Sequence, residues 1–127
     1  MANKLLRHPT FTEDDFVVYE KLEDLSDEIR RQASKLGKHE IRFLVDTYYQ
    51  MQDRRKATSN QERSLIADGE PILLTDWIVS LDEYGEKKIR SMLQAYAEGE
   101  KSAQWAMSIR GIGPVIAAGL SAHIDIT

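Results

Sequence analysis

The sequence predicts an all-α fold of about five helices in a helical bundle, ending in a helix-hairpin-helix. Apolar residues recur at spacings of three and four, and no stretch alternates in the way a half-buried strand requires. Glycine and proline fall mostly at junctions that read as helix ends. The chain of 127 residues is also long enough to bury a core without disulfides or metals. One domain is therefore expected over 1–127, with a helical pair in 1–70 and a long helix plus the hairpin in 71–127.

Thr12 is placed to cap a first helix opening on Glu13, Asp14 and Asp15, acids at the positive end of the helix dipole. Phe16, Tyr19, Leu22, Leu25, Ile29, Ala33 and Leu36 trace one face, and Gly37 reads as a left-handed stop. Residues 1–11 are expected to fray or pack loosely. A second helix starts near Lys38 with Ile41, Leu44, Val45, Tyr48 and Met51 on a stripe. Its continuation meets Arg55, Thr58 and Glu62 before Leu65 and Ile66 restore the pattern. Such a helix either bridges solvent or aims polar groups at something specific.

The turn Ala67-Asp68-Gly69-Glu70-Pro71 leads to a third helix, with Pro71 near its first position. Ile72, Leu74, Trp77, Ile78, Leu81, Tyr84, Ile89, Met92, Leu93 and Tyr96 keep a period nearer 3.6 than 3.5, which favours packing on neighbours over a coiled coil. Gly85 in its middle opposes an unbroken helix by about 1 kcal/mol relative to alanine. Glu98-Gly99 ends it. A short helix from about Lys101 to Ser108, with Trp105 inward, precedes the glycine hairpin. A last helix runs from Pro114 to about Ile124, and its Ala117, Ala118, Gly119 and Ala122 allow close approach of a neighbour.

The hairpin is the most informative segment. In Ile109-Arg110-Gly111-Ile112-Gly113-Pro114-Val115-Ile116-Ala117, two glycines permit a tight turn and Ile112 can plug the space between two helices. Proline at the first helical position loses no hydrogen bond. The N–H groups of Gly111, Gly113, Val115 and Ile116 are then expected to face an anion at the positive end of the following helix. Arg110 is the nearest side chain to add charge, with Lys101 one helix away. A basic residue just inside the second helix is common in such hairpins, and Val115 and Ile116 stand there instead. The competing reading is a tight, purely architectural turn between antiparallel helices.

Arg54, Arg55, Lys56 and Arg63, with Gln50, Gln52, Asn60 and Gln61 around them, form a candidate secondary basic site that can fork onto phosphates. The competing reading is a solvated face in which Arg55 and Glu62 make internal ion pairs. Tyr48 and Tyr49 lack the neighbours that activate a nucleophile. Asp14/Asp15 and Glu23/Asp24 are adjacent in sequence and so do not share a helix face. Ser121 and His123 have no third partner, and His8, His39 and His123 share no ligand spacing. No catalytic residue, metal site or cofactor is therefore expected.

Net charge is −4, unlike that of a strongly cationic nucleic-acid wrapper. Only residues 38–66 are net positive, with six Lys/Arg against four Asp/Glu. Any DNA binding should thus be local and of modest affinity. The absence of cysteine fits a reducing cytoplasmic setting, and no stretch is apolar enough for a signal sequence or membrane span.

Residues 77–127 resemble the C-terminal part of a family of bacterial insertion-sequence transposases and pilin-inversion-type recombinases. The likeness rests on a long amphipathic helix followed by Ser108-Ile109-Arg110-Gly111-Ile112-Gly113-Pro114 and an alanine-rich helix ending in Ile124-Asp125. Arg110 stands where that family has proline. The resemblance implies contact with duplex or branched DNA through the hairpin. The family's acidic tetrad has no counterpart in residues 1–76, and neither does its downstream serine before Thr127. The segment is accordingly expected to be the DNA-holding piece of a longer protein. The alternative is an α-helical interaction or scaffold protein, with a homo-oligomer formed through the helix over 72–96.

Overall fold

The computed structural model describes residues 13–123. Over that span the fold is all-helical, with five α-helices and no strand among the described residues. They are α1 (Glu13–Arg31), α2 (Lys38–Ala67), α3 (Leu73–Gly99), α4 (Lys101–Met107) and α5 (Pro114–His123). A 3-10 turn, Ala33–Lys35, joins α1 to α2. The expected cap Thr12, the loosely packed 1–11 segment and the end of the last helix at Ile124 lie outside the described residues.

The two long helices form the frame. α2 and α3 pack antiparallel, with Met51 facing Gly85 and Arg54 meeting Asp82. α1 runs parallel to α3: Tyr19 meets Tyr84, Glu23 meets Lys88, and Gly99 lies beside Ser34 below the end of α1. α5 seats in the angle between α2 and α3, and α4 packs on α5 and the end of α3. Small residues make this seating possible. Ala117, Ala118, Gly119 and Ala122 are all buried, and Gly119 rests against Val45. Arg42 Nε donates to the carbonyl of Ala122 at 2.8 Å, supplying a cation to the negative end of α5.

The main core contains Ile41, Val45, Ile89, Leu93, Tyr96, Val115, Ala118 and Ala122. A smaller cluster of Ala97, Ala103, Ala106 and Ala117, with Ile112 and Met107 against it, lies between α3, α4 and α5.

Several junctions differ from expectation. α1 ends at Arg31, and Gly37 does not stop it in the left-handed region. The 3-10 turn ends the first segment, while Gly37 has φ −75° and opens α2, its N–H donating to Glu40 Oε1 at 3.4 Å. Leu22 and Leu25, expected on the inner face of α1, are half exposed, because α1 meets α3 through Tyr19 and Glu23 instead. α3 begins two residues after Pro71, and the turn before it depends on Gly69 at φ +72°. α3 is unbroken at Gly85, whose missing side chain is explained by Met51: a Cβ there would lie 2.5 Å from Met51 Sδ. Trp105 points outward, 69 % exposed, while Ala103 and Ala106 face the core of α4.

α3 changes character along its length. Its C-terminal half buries Ile89, Met92, Leu93, Tyr96 and Ala97. Its N-terminal half buries Thr75, Asp82 and Glu86 and turns Leu73, Leu74, Trp77 and Leu81 outward. Of the apolar stripe read along the whole helix, Leu74, Trp77 and Leu81 thus face outward, Ile78 and Tyr84 are half-buried, and full burial begins at Ile89.

Candidate nucleic-acid interface

The α4–α5 connection is built from backbone. Ser108 N–H reaches the carbonyls of Gln104 and Trp105, and Ile109 N–H that of Ala106, closing the last turn of α4. Ile112 N–H then donates to Ile109 carbonyl at 3.2 Å. That bond closes a four-residue turn whose third residue, Gly111, has φ +91°. This is the position where a type II turn requires a positive φ and so favours glycine. Gly113 is different. Its φ is not positive and a Cβ there meets nothing within 4 Å. Its carbonyl accepts from Ala117 N–H at 3.0 Å, so it stands at the N-cap of α5 and Pro114 is the first helical residue. Ile112 packs on the alanine cluster between the two helices.

The N–H groups of Gly111, Gly113, Val115 and Ile116 find no backbone acceptor among the described residues. Those of Val115 and Ile116 belong to the first turn of α5, where the helix leaves its donors free. Val115 buries its side chain and Ile116 is 45 % exposed.

This turn opens onto a groove of about 350 Å³ whose other wall comes from α2 and α3: Tyr48, Tyr49, Gln52 and Arg90. Tyr48 and Tyr49 meet edge to face, their ring centroids 5.5 Å apart. A second hollow of about 300 Å³ continues past Tyr48 and Arg90 to Arg55, Glu86, Glu83 and Lys87. Arg90 makes no ion pair among the described residues. It is therefore the cation that shares a groove with the free N–H groups. Arg110 and Lys101 are exposed but do not line that groove.

The basic cluster is partly engaged within the protein. Arg54 Nε donates to both carboxylate oxygens of the fully buried Asp82, at 3.0 and 2.9 Å, and its Nη2 adds a further bond to Oδ1. Arg55 Nε donates to Glu86 Oε2 at 2.6 Å. These hydrogen bonds push both guanidinium pKa values further up. Arg55 thus pairs across to α3 rather than with Glu62, whose Oε2 is buried with no partner among the described residues. Lys56 and Arg63 are exposed and make no ion pair among the described residues.

The sequence gives no sign of Arg90, and it offers Tyr48 and Tyr49 as core and rim residues or as unactivated nucleophiles, without placing them beside the glycine turn. All three come from helices remote in sequence from the α4–α5 turn, so spacing within that turn carried no sign of them. Their place depends on the register of α2 against α3, which no local pattern in the sequence reports.

Among the described residues no group of His, Cys, Asp or Glu is placed to hold a metal ion, and no helix is long and apolar enough to cross a membrane. No protein-family model matches the chain, and neither does any curated protein or solved structure.

Proposed function

We propose that this chain is a DNA-binding helical module whose helix-hairpin-helix, α4–turn–α5, holds a backbone phosphate in a non-sequence-specific way. The observation that carries the reading is that Val115 and Ile116, whose N–H groups have no backbone acceptor among the described residues, line the same groove as Arg90, which makes no ion pair among them. Backbone donors at a helix N-terminus with one nearby guanidinium suit a phosphate oxygen. They carry no base information by themselves. The likeness of residues 77–127 to the C-terminal part of transposases and recombinases supports the same reading, with duplex or branched DNA as partner. The net charge of −4 limits the affinity. Binding in the range of nonspecific contacts, with Kd about 10⁻⁴ to 10⁻⁶ M, is expected.

Fluorescence anisotropy of labelled duplex and four-way-junction DNA over a salt series tests this. One or two phosphates neutralised per module give a slope of log K against log salt of about −1 to −2. Arg90→Glu should abolish binding. Gly113→Val should weaken it at least tenfold while leaving the fold intact, because the added side chain enters open space at the groove. Absence of binding at low salt, or binding indifferent to both substitutions, removes the proposal.

A further inference from the structure

The N-terminal half of α3 wears its amphipathicity inside out. Asp82 and Glu86 face α2 because Arg54 and Arg55 meet them there. Leu73, Leu74, Trp77 and Leu81 consequently face water, 83, 71, 63 and 48 % exposed. Farther along the same helix, Tyr84 and Lys88 are covered by Tyr19 and Glu23 of α1. The outward strip is thus closed by a packed helix at one end and open at the other.

We infer that the open strip Leu73–Leu81 is a self-association surface, on which two copies of this chain pair α3 against α3 antiparallel about a two-fold axis at Trp77. Two features select a second copy. The spacing is self-complementary: Leu73, Trp77 and Leu81 lie at i, i+4 and i+8, so an antiparallel two-fold at Trp77 sets Leu73 of one copy against Leu81 of the other, as an isologous contact demands. The size also fits. The four residues expose on the order of 500–600 Å² per copy, so complete burial in a symmetric pair comes to about 1,000–1,200 Å², the small end of specific interfaces. Trp77 at the centre supplies the aromatic anchor such contacts favour. The dimer is therefore weak and reversible. It leaves the groove at Arg90 on another face of α3 and does not depend on the DNA-binding reading.

Sedimentation velocity over low-micromolar to several hundred micromolar protein tests the inference. A reversible monomer–dimer equilibrium with a micromolar midpoint is expected. Trp77→Glu should stay monomeric throughout the range. Trp105→Glu alters an equally exposed tryptophan on α4 and should dimerise as the wild type does. Circular dichroism establishes that each variant is folded. Because the chain lacks cysteine, register can be read by crosslinking. An oxidised mixture of Leu73→Cys and Leu81→Cys proteins should form disulfide-linked dimers, and neither variant alone should. A wild type monomeric at the highest concentration, a dimer that survives Trp77→Glu, or crosslinking by either single variant overturns the inference.

Discussion

The α2–α3 pair is two different interfaces laid end to end. Toward the start of α2, Ile41 and Val45 meet Ile89, Leu93 and Tyr96, and α5 closes over them with Val115, Ala118 and Ala122. Toward the end of α2 the same helices meet through Arg54–Asp82 and Arg55–Glu86, with Thr75 and a carboxylate oxygen of Glu62 also shut away from water. The apolar half draws on burial, which is favourable wherever the surfaces fit. In the polar half, attraction is largely offset by desolvation, so the gain is smaller but the geometry is stricter. One half supplies stability and the seat for α5. The other holds the register of two long helices that slide easily when only leucines face each other.

If this division is right, the largest loss should come from the apolar half. Leu93→Ala, at a fully buried site, should cost about 2–5 kcal/mol, measured as a fall in the urea midpoint. It should weaken the α5 groove as well, since α5 rests on the same cluster.

The polar half should respond asymmetrically. Arg54 is largely in water while Asp82 is fully buried. Arg54→Ala strands a carboxylate in the interior and should lower the urea midpoint clearly, whereas the double variant Arg54→Ala/Asp82→Leu should recover most of the loss. Equal losses in the single and double variants would mean that the pair contributes more than register.

The smallest effect comes from outside the pair, where α1 meets α3 midway along it. Burial, with the charge of Glu23 beside it, raises Tyr84 to about 12, and the Lys88 hydrogen bond holds Glu23 below its ordinary value. The neutral phenol is the form the fold favours. Its contribution is therefore complete below the unfolded tyrosine value near 10 and is lost as pH rises from there through about 12. The Glu23 contribution is present above the ordinary carboxylate range and fades as pH falls through its lowered value. Melting curves should show a modest alkaline drop in Tm that Tyr84→Phe reduces. An unchanged alkaline limb in that variant would place the titrating group elsewhere.

Much of this architecture was legible because periodicity reports burial directly. The starts of α2 and α5, the long α3 and the need for glycine at 69 and 111 all follow from local rules. The interruption at Arg55, Thr58 and Glu62 was also visible, but its partners were not. Asp82 and Glu86 sit between apolar residues of α3, and reading the stripe from Leu81 and Tyr84 to Ile89 passes over them. Two arginines and two acids on separate helices become a pair only once the register is known. The groove was illegible for the same reason. The wall from Gly113 to Ile116 is local, while Tyr48, Gln52 and Arg90 arrive from helices far away in sequence. Gly37 misled because a glycine after an apolar run can end one helix or begin the next, and here Glu40 makes it a beginning.

The seating of α5 has its own consequence. Its described turns, Pro114–His123, bury Val115, Ala117, Ala118, Gly119, Ser121 and Ala122, and since most helical stability in proteins comes from tertiary packing, its order is borrowed from the walls it leans on. Its exposed donors therefore come into being with the folded bundle and vanish with it. An anion captured there should protect amides across α2 and α3 against hydrogen exchange, many residues from the point of contact, turning a small local encounter into a change felt by the whole chain.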